Sequence, residues 1–147
     1  MGLNVSHGAW DGAYSAFMRW RRKLAEVSGY GDLEVYEGYW DYQRPMVCSK
    51  CESWDTNNPR WYKSRNEAEP WPENDDPLQI LLNHSDCEGE IAWEDCEAIA
   101  NRLEYLLPSM KIAGDGGPRG RTYEETTKQF IEGLRLAASL KENLIFS

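Results

Sequence analysis

The sequence predicts a mainly α fold of about four helices, with a minor β element contributed by the two chain ends. Three observations predict it: long stripes of apolar residues at helical spacing, start signals placed where those stripes begin, and short β-prone stretches at residues 3–5 and 144–146. A chain of 147 residues, 41% hydrophobic and 28% charged, is long enough for one core. The expected organisation is a single domain over 1–147, with an irregular aromatic and acidic insertion over 30–76.

The first stripe runs through Trp10, Ala13, Tyr14, Phe17, Trp20, Leu24 and Val27, which predicts a helix that opens at Ser6 as N-cap and stops at Ser28-Gly29. From Tyr30 to Asp76 the periodicity dissolves between Pro45, Pro59, Pro70 and Pro72, and only Leu33 and Val35 suggest a short strand. Asp76 as N-cap and Pro77 at the first helical position predict a short helix over 78–83. Cys96, Ile99, Ala100, Leu103, Leu106 and Leu107 form the next stripe, expected to end at Pro108. Gly114 to Arg121 reads as a flexible connection, after which Thr122 and Glu125 make a capping box for the last helix. Its buried face is Thr127, Phe130, Ile131, Leu134, Ala137 and Ala138. Leu144-Ile145-Phe146 and Leu3-Asn4-Val5 are expected to pair as a small sheet.

Sixteen basic residues against 25 acidic ones give a net charge of −9, which disfavours general attraction to nucleic acid or anionic membrane. No apolar run approaches the ~20 residues of a membrane span. The first residues lack the basic and apolar regions of a secretory signal, so a cytoplasmic protein is expected. Aromatic residues make up 12% of the chain, which hints at a surface that stacks on a ligand or partner.

The stretch His84 to Asp95 resembles an EF-hand loop. Aligned on Gly89, it places Asp86 and Glu88 at the third and fifth loop positions, Ile91 at the eighth and Asp95 at the twelfth. His84 replaces the usual first aspartate and Asp95 is one methylene shorter than the usual glutamate. The expectation is therefore an EF-hand-like helix–loop–helix without calcium. Cys48 and Cys51 make a lone Cys-x-x-Cys pair; with His84, Cys87 or Cys96 they would complete a zinc site only if the insertion folds back over the turn, and reduced thiols are the expected state. No cofactor is expected. His84 with Asp86, beside Glu88, Glu90, Glu94 and Asp95, supplies the ingredients of a metal-dependent hydrolase. Nucleotide-binding loops and hydrolase signatures are absent from the sequence.

The opening, Ser6-His7-Gly8-Ala9-Trp10-Asp11-Gly12-Ala13-Tyr14, reads as a helix start whose free N–H groups would hold an anion while Trp10 or Tyr14 stacks on a base. The same block, continuing to Phe17 and Arg19-Trp20-Arg21, together with Leu81 to Ile91 and Phe130 to Ala138, resembles a family of small phage and bacterial proteins. That resemblance carries no activity. It implies a phage-type accessory context, in which small acidic proteins often blunt host defences.

The function expected from these observations is non-catalytic sequestration of a small phosphorylated, nucleotide-like ligand, as in counter-defence, with the host cytoplasm as the compartment of a phage-encoded protein. Its candidate contacts are His7, Trp10, Tyr14, Arg19, Arg119 and Arg121, the aromatics for the base and the arginines for the phosphate. The alternative is an acidic inhibitor that covers a basic surface on a host protein. A metal-dependent hydrolase ranks third.

Overall fold

The computed structural model describes residues 2–33, 39–45, 62–64, 72, 74–84, 89–114 and 116–147. These form a mainly helical fold with a small antiparallel sheet. The chain opens on a hairpin of β1 (Gly2–Val5) and β2 (Trp10–Ala13), followed directly by helix α1 (Tyr14–Val27). Strands β3 (Tyr39–Pro45) and β4 (Tyr62–Ser64) pair antiparallel. Then come α2 (Leu78–Leu82), β5 (Gly89–Ile91), α3 (Trp93–Ala113), a 3-10 turn (Pro118–Gly120), α4 (Tyr123–Leu140) and β6 (Leu144–Phe146).

The hairpin corrects the expected start of the first helix. Ala9 N–H donates to the Ser6 carbonyl at 3.2 Å, and the two residues between them, His7 (φ 62°) and Gly8 (φ 72°), are both left-handed. Two positive φ values at the centre of a tight turn match the right-handed twist of a hairpin. Ser6 is thus a turn residue, and Trp10 to Ala13 belong to a strand whose buried side alternates. A stripe containing residues 10, 13, 14 and 17 satisfies helical spacing by accident, because the strand hands over to the helix in mid-pattern. The α1 end matches expectation, with Ser28 as C-cap and Gly29 at φ 92°.

The expected pairing of the chain ends is present. The sheet order is β2-β1-β6-β5, and β1 and β6 are stitched by Asn4 N–H to Ser147 O (2.9 Å), Ser147 N–H to Asn4 O (2.8 Å) and Ser6 N–H to Ile145 O (2.8 Å). Alternation sends Leu3, Val5, Leu144 and Phe146 into the core and leaves Ile145 outside. There Trp10, Phe17, Trp20, Phe130 and Phe146 form one aromatic cluster, with neighbouring ring centroids from 4.8 to 6.5 Å apart. The one indole N–H of Trp20 donates to Thr127 Oγ1 at 3.0 Å, so the polar edge is satisfied inside the core.

Helices α3 and α4 run antiparallel, joined at one end by Tyr123 N–H to Gly114 O (3.0 Å) and at the other by Trp93 N–H to Asn143 Oδ1 (3.0 Å). α3 does not end at Pro108 but passes through it to Ala113. Pro108 sits on the solvent side, where water can take the carbonyl bond that proline leaves open, while Leu106 and Met110 keep the helix seated on either side. The capping box of α4 forms as expected, Thr122 Oγ1 accepting from Glu125 N–H at 3.1 Å. At α2, Asp76 Oδ1 accepts from Leu78 N–H at 3.0 Å, and the helix stops one residue short of the expected 83. Strands β3 and β4 lie within the insertion, where the sequence suggested a strand only at Leu33 and Val35. Residues 34–38 lie outside the described residues, as do 85–88 of the stretch expected to form an EF-hand-like loop.

Candidate functional site

The cleft that matters is built at the open end of the hairpin. β1 and β2 pair Gly2 with Ala13 and Leu3 with Gly12; at this end, remote from the Ser6–Ala9 turn, Leu3 is buried in the core and the other three residues are small. α1 leaves this end at once, with Ala13 as its N-cap and no side-chain cap. Ala16 and Arg19, three positions apart, therefore face the same way off the helix. The 3-10 turn closes the third side. It is tied by Gly117 N–H to Arg121 O and Arg121 N–H to Pro118 O, both 3.1 Å, and Pro118 is buried on Gly12. A Cβ on Gly12 would lie 2.6 Å from Pro118 Cβ, so only glycine lets the proline seat there.

The result is an open cleft of ≈490 Å³ lined by Gly2, Asp11, Gly12, Ala13, Ala16, Arg19, Gly117, Pro118 and Arg119. Its chemistry is cationic at the walls and featureless at the floor. Arg119 takes a left-handed conformation (φ 57°, ψ 35°) that turns its side chain back over the hairpin, where Nη2 meets Asp11 Oδ2 at 3.2 Å. Arg119 and Asp11 remain 65% and 59% exposed, so solvent screens the pair. Arg19 is exposed and lines the same cleft.

Of the six residues proposed from sequence, the cleft unites Arg19 and Arg119. The other four lie elsewhere. Trp10 is buried among Phe17 and Trp20 and offers no face to a base; its indole N–H is buried without a hydrogen-bond partner among the described residues. Tyr14 is half-buried against the core. His7 stands at the turn end of the hairpin, its Nδ1 2.7 Å from Ser6 Oγ and its Nε2 3.1 Å from Glu142 Oε1. Arg121 donates through Nη1 to Gln129 Oε1, and Gln129 in turn donates to Gly8 O at 2.9 Å, so Arg121 braces the hairpin from α4. The anion site expected at a helix start beside Ser6 does not exist, because no helix starts there. Asp11, Gly12, Gly117 and Pro118 were missed as cleft residues. The signal was present in the Asp-Gly and Gly-Gly-Pro steps, which mark places where backbone packs closely.

No family model, curated protein or solved structure matches this chain.

Among the described residues no group of three or more His, Cys, Asp or Glu is placed to hold an ion. His84 is buried, stacked on Phe146 with ring centroids 4.0 Å apart, and its Nε2 lies 3.2 Å from Glu90 O. Cys96 is buried with Sγ 3.4 Å from Ala92 O; burial and the nearby Asp95 charge push its thiol up to about 11, away from the thiolate that binds metal. Cys48, Cys51, Asp86 and Cys87 lie outside the described residues.

A second polar centre lies under α2. Tyr30 Oη donates to Asp76 Oδ2 at 2.7 Å, Arg102 Nε donates to Asp76 Oδ1 at 3.2 Å, and Gln79 Nε2 bridges Asn74, Tyr30 and Pro72. Burial pushes the Asp76 carboxyl up, but bonds from Tyr30, Leu78 N–H and Arg102 outweigh it and hold the group below the usual carboxylate range. Each partner is taken up inside the network, which joins α1, α2 and α3 and reads as structural.

Proposed function

We propose that this protein binds and sequesters a small phosphorylated, nucleotide-like ligand in the cleft between the hairpin, α1 and the 3-10 turn, as a phage-type accessory protein would in counter-defence. The observation that carries this reading is the convergence of Arg19 and Arg119 on one open cleft in a chain of net charge −9. An anion repelled by the whole protein needs such local donors, and arginine's planar fork suits phosphate oxygens. Sequestration rather than turnover is favoured because Asp11 is the sole acid–base side chain besides the arginines in the described lining.

Incubation with a nucleotide panel, followed by heat denaturation and chromatography of the released material, tests this reading. Recovery of an intact ligand, reduced but not abolished in Arg19→Ala and Arg119→Ala, is the expected result; an altered ligand means catalysis, and no retained ligand means the cleft reading is wrong.

The acidic-inhibitor reading is favoured by a different observation: Tyr105 and Ile112, seven residues apart on α3, are 79% and 87% exposed. Such side chains on an acidic protein suit a partner with a basic, partly apolar face. For the turn after α2 we keep the EF-hand-like description without metal, supported by Gly89 at φ 114° and the buried Ile91.

A further inference from the structure

Resting on the cleft reading above, we infer that Asp11 competes with the ligand for Arg119 and thereby limits the ligand to a single phosphate group, a mono- or diester of one or two negative charges. The inference starts from charge. The described lining carries two guanidinium groups and one carboxylate, a local balance of +1. Arg119 is held across the cleft by Asp11 at 3.2 Å, through one nitrogen and one oxygen. That leaves the rest of its donor fork open. A phosphate entering between Arg19 and Arg119 offers two oxygens to the fork and outcompetes a single, screened carboxylate contact.

The exchange frees Asp11 but does not remove it. Asp11 is fixed on β2 by pairing with Asn4, one residue from the glycine floor, so its carboxylate stays beside the bound anion. One phosphate is balanced by the two arginines. Each further phosphate would stand against the freed carboxylate and the negative field of the whole chain. Asp11 is in this sense a charge filter, and Arg119 the moving part. Gly120 (φ 75°) and the left-handed Arg119 make a turn in which the side chain can change partners without unwinding a helix.

Titration of the full chain with adenosine monophosphate, adenosine triphosphate and inorganic phosphate, by calorimetry at low salt, tests the inference. The variants are Asp11→Asn, Arg119→Ala and the double variant, each checked by circular dichroism. The parent should bind the monophosphate more tightly than the triphosphate. Asp11→Asn should tighten the monophosphate about threefold and the triphosphate about tenfold, the scale of an exposed ion pair and one added like-charge contact. In the Arg119→Ala background, where only the like-charge contact is left to relieve, the same change should tighten the monophosphate by clearly less than threefold. Unchanged or weaker binding in Asp11→Asn, or an equal gain in the Arg119→Ala background, overturns the inference while leaving the cleft reading intact. No binding of any probe by parent or Asp11→Asn refutes the cleft reading, and the inference with it.

Discussion

Arg19 and Arg21 stand two residues apart on α1 and have opposite surroundings. Arg21 is 1% exposed; its Nη1 donates to Leu82 O at 2.7 Å and His84 O at 2.8 Å, and its guanidinium lies 5.3 Å from the Phe17 ring centroid. It closes the end of α2, where carbonyls are left without helical partners. Arg19 lies on another face of the helix, where it lines an open cleft together with Arg119. The helix turns about 200° between the two positions, so neighbours in sequence serve different faces. The difference teaches that an arginine's partners, not its motif, decide its use. One whose donors are met by buried carbonyls belongs to the fold, and one left at a cleft is available to a ligand.

The sharpest way to break this comparison is to truncate both. Arg21→Ala strips two buried carbonyls of a charged donor and opens a cavity beside Phe17, and should cost about 3 kcal/mol. At this chain length that is a fall of roughly 10 °C in Tm. Arg19→Ala should change stability by less than ~0.5 kcal/mol, as for an exposed position. Thermal melts of the two variants decide it, and similar losses in both would erase the distinction.

The fold was more legible than the site. Phe17, Trp20 and Leu24, like Phe130 and Leu134, recur at helical spacing because one face of each helix meets one core, and Thr122 with Glu125 marks a helix start by local hydrogen bonding alone. The termini were legible because Leu3-Asn4-Val5 and Leu144-Ile145-Phe146 are both short, β-prone stretches, though Ile145 between the two buried residues is itself apolar. The hairpin failed because Trp10 and Ala13 meet both periodicities; His7-Gly8, the turn that decides between them, is a weaker turn signal than Asn-Gly. At the site the sequence pointed to Arg19 and Arg119 through their charge. It also pointed to His7 and Arg121, whose partners Glu142 and Gln129 are far away in sequence. Only tertiary structure reveals that those two side chains are already engaged. The buried role of Arg21 was hidden for the same reason, since Leu82 and His84 reach it through a fold the helix pattern does not specify.

The Asp76 network gives an intermediate case, part-buried and built around a charge. Because the Asp76 carboxyl titrates below its ordinary 3.8 in the folded protein, its stabilisation is complete above that value and disappears as pH falls through the lower folded one. Tyr30 works in the opposite sense. Burial, then the bond to Asp76, raise its hydroxyl above 10.0, so its contribution is present below 10.0 and lost as pH rises through the higher folded value. Asp76→Asn should lower stability at pH 7 by roughly 1 kcal/mol, the value of a typical net hydrogen bond. The gap from the parent should narrow as both are taken to pH 2. A gap that stays constant from pH 7 to pH 2 would show that the carboxylate charge contributes nothing there.

The smallest effect is expected at the Asp11–Arg119 pair, and its size is what separates the cleft from the seat of Arg21. The two groups touch through a single contact while more than half exposed, an arrangement worth about 0.2–1 kcal/mol at low salt and less when screened. Against it stands the left-handed backbone at Arg119, which costs a non-glycine residue about 1 kcal/mol. Arg119→Ala keeps that backbone cost and loses the pair, so it should destabilise by no more than ~1 kcal/mol at low ionic strength and by nothing measurable in 1 M salt. Arg119→Gly relieves the backbone but gains unfolded-state freedom of similar size, so it should match the parent within the same margin. Denaturant titrations of both variants at low and high salt make the measurement. A loss above ~1.5 kcal/mol that survives 1 M salt would mean that Arg119 is built into the fold as Arg21 is, and that its donors are not free to exchange Asp11 for a phosphate.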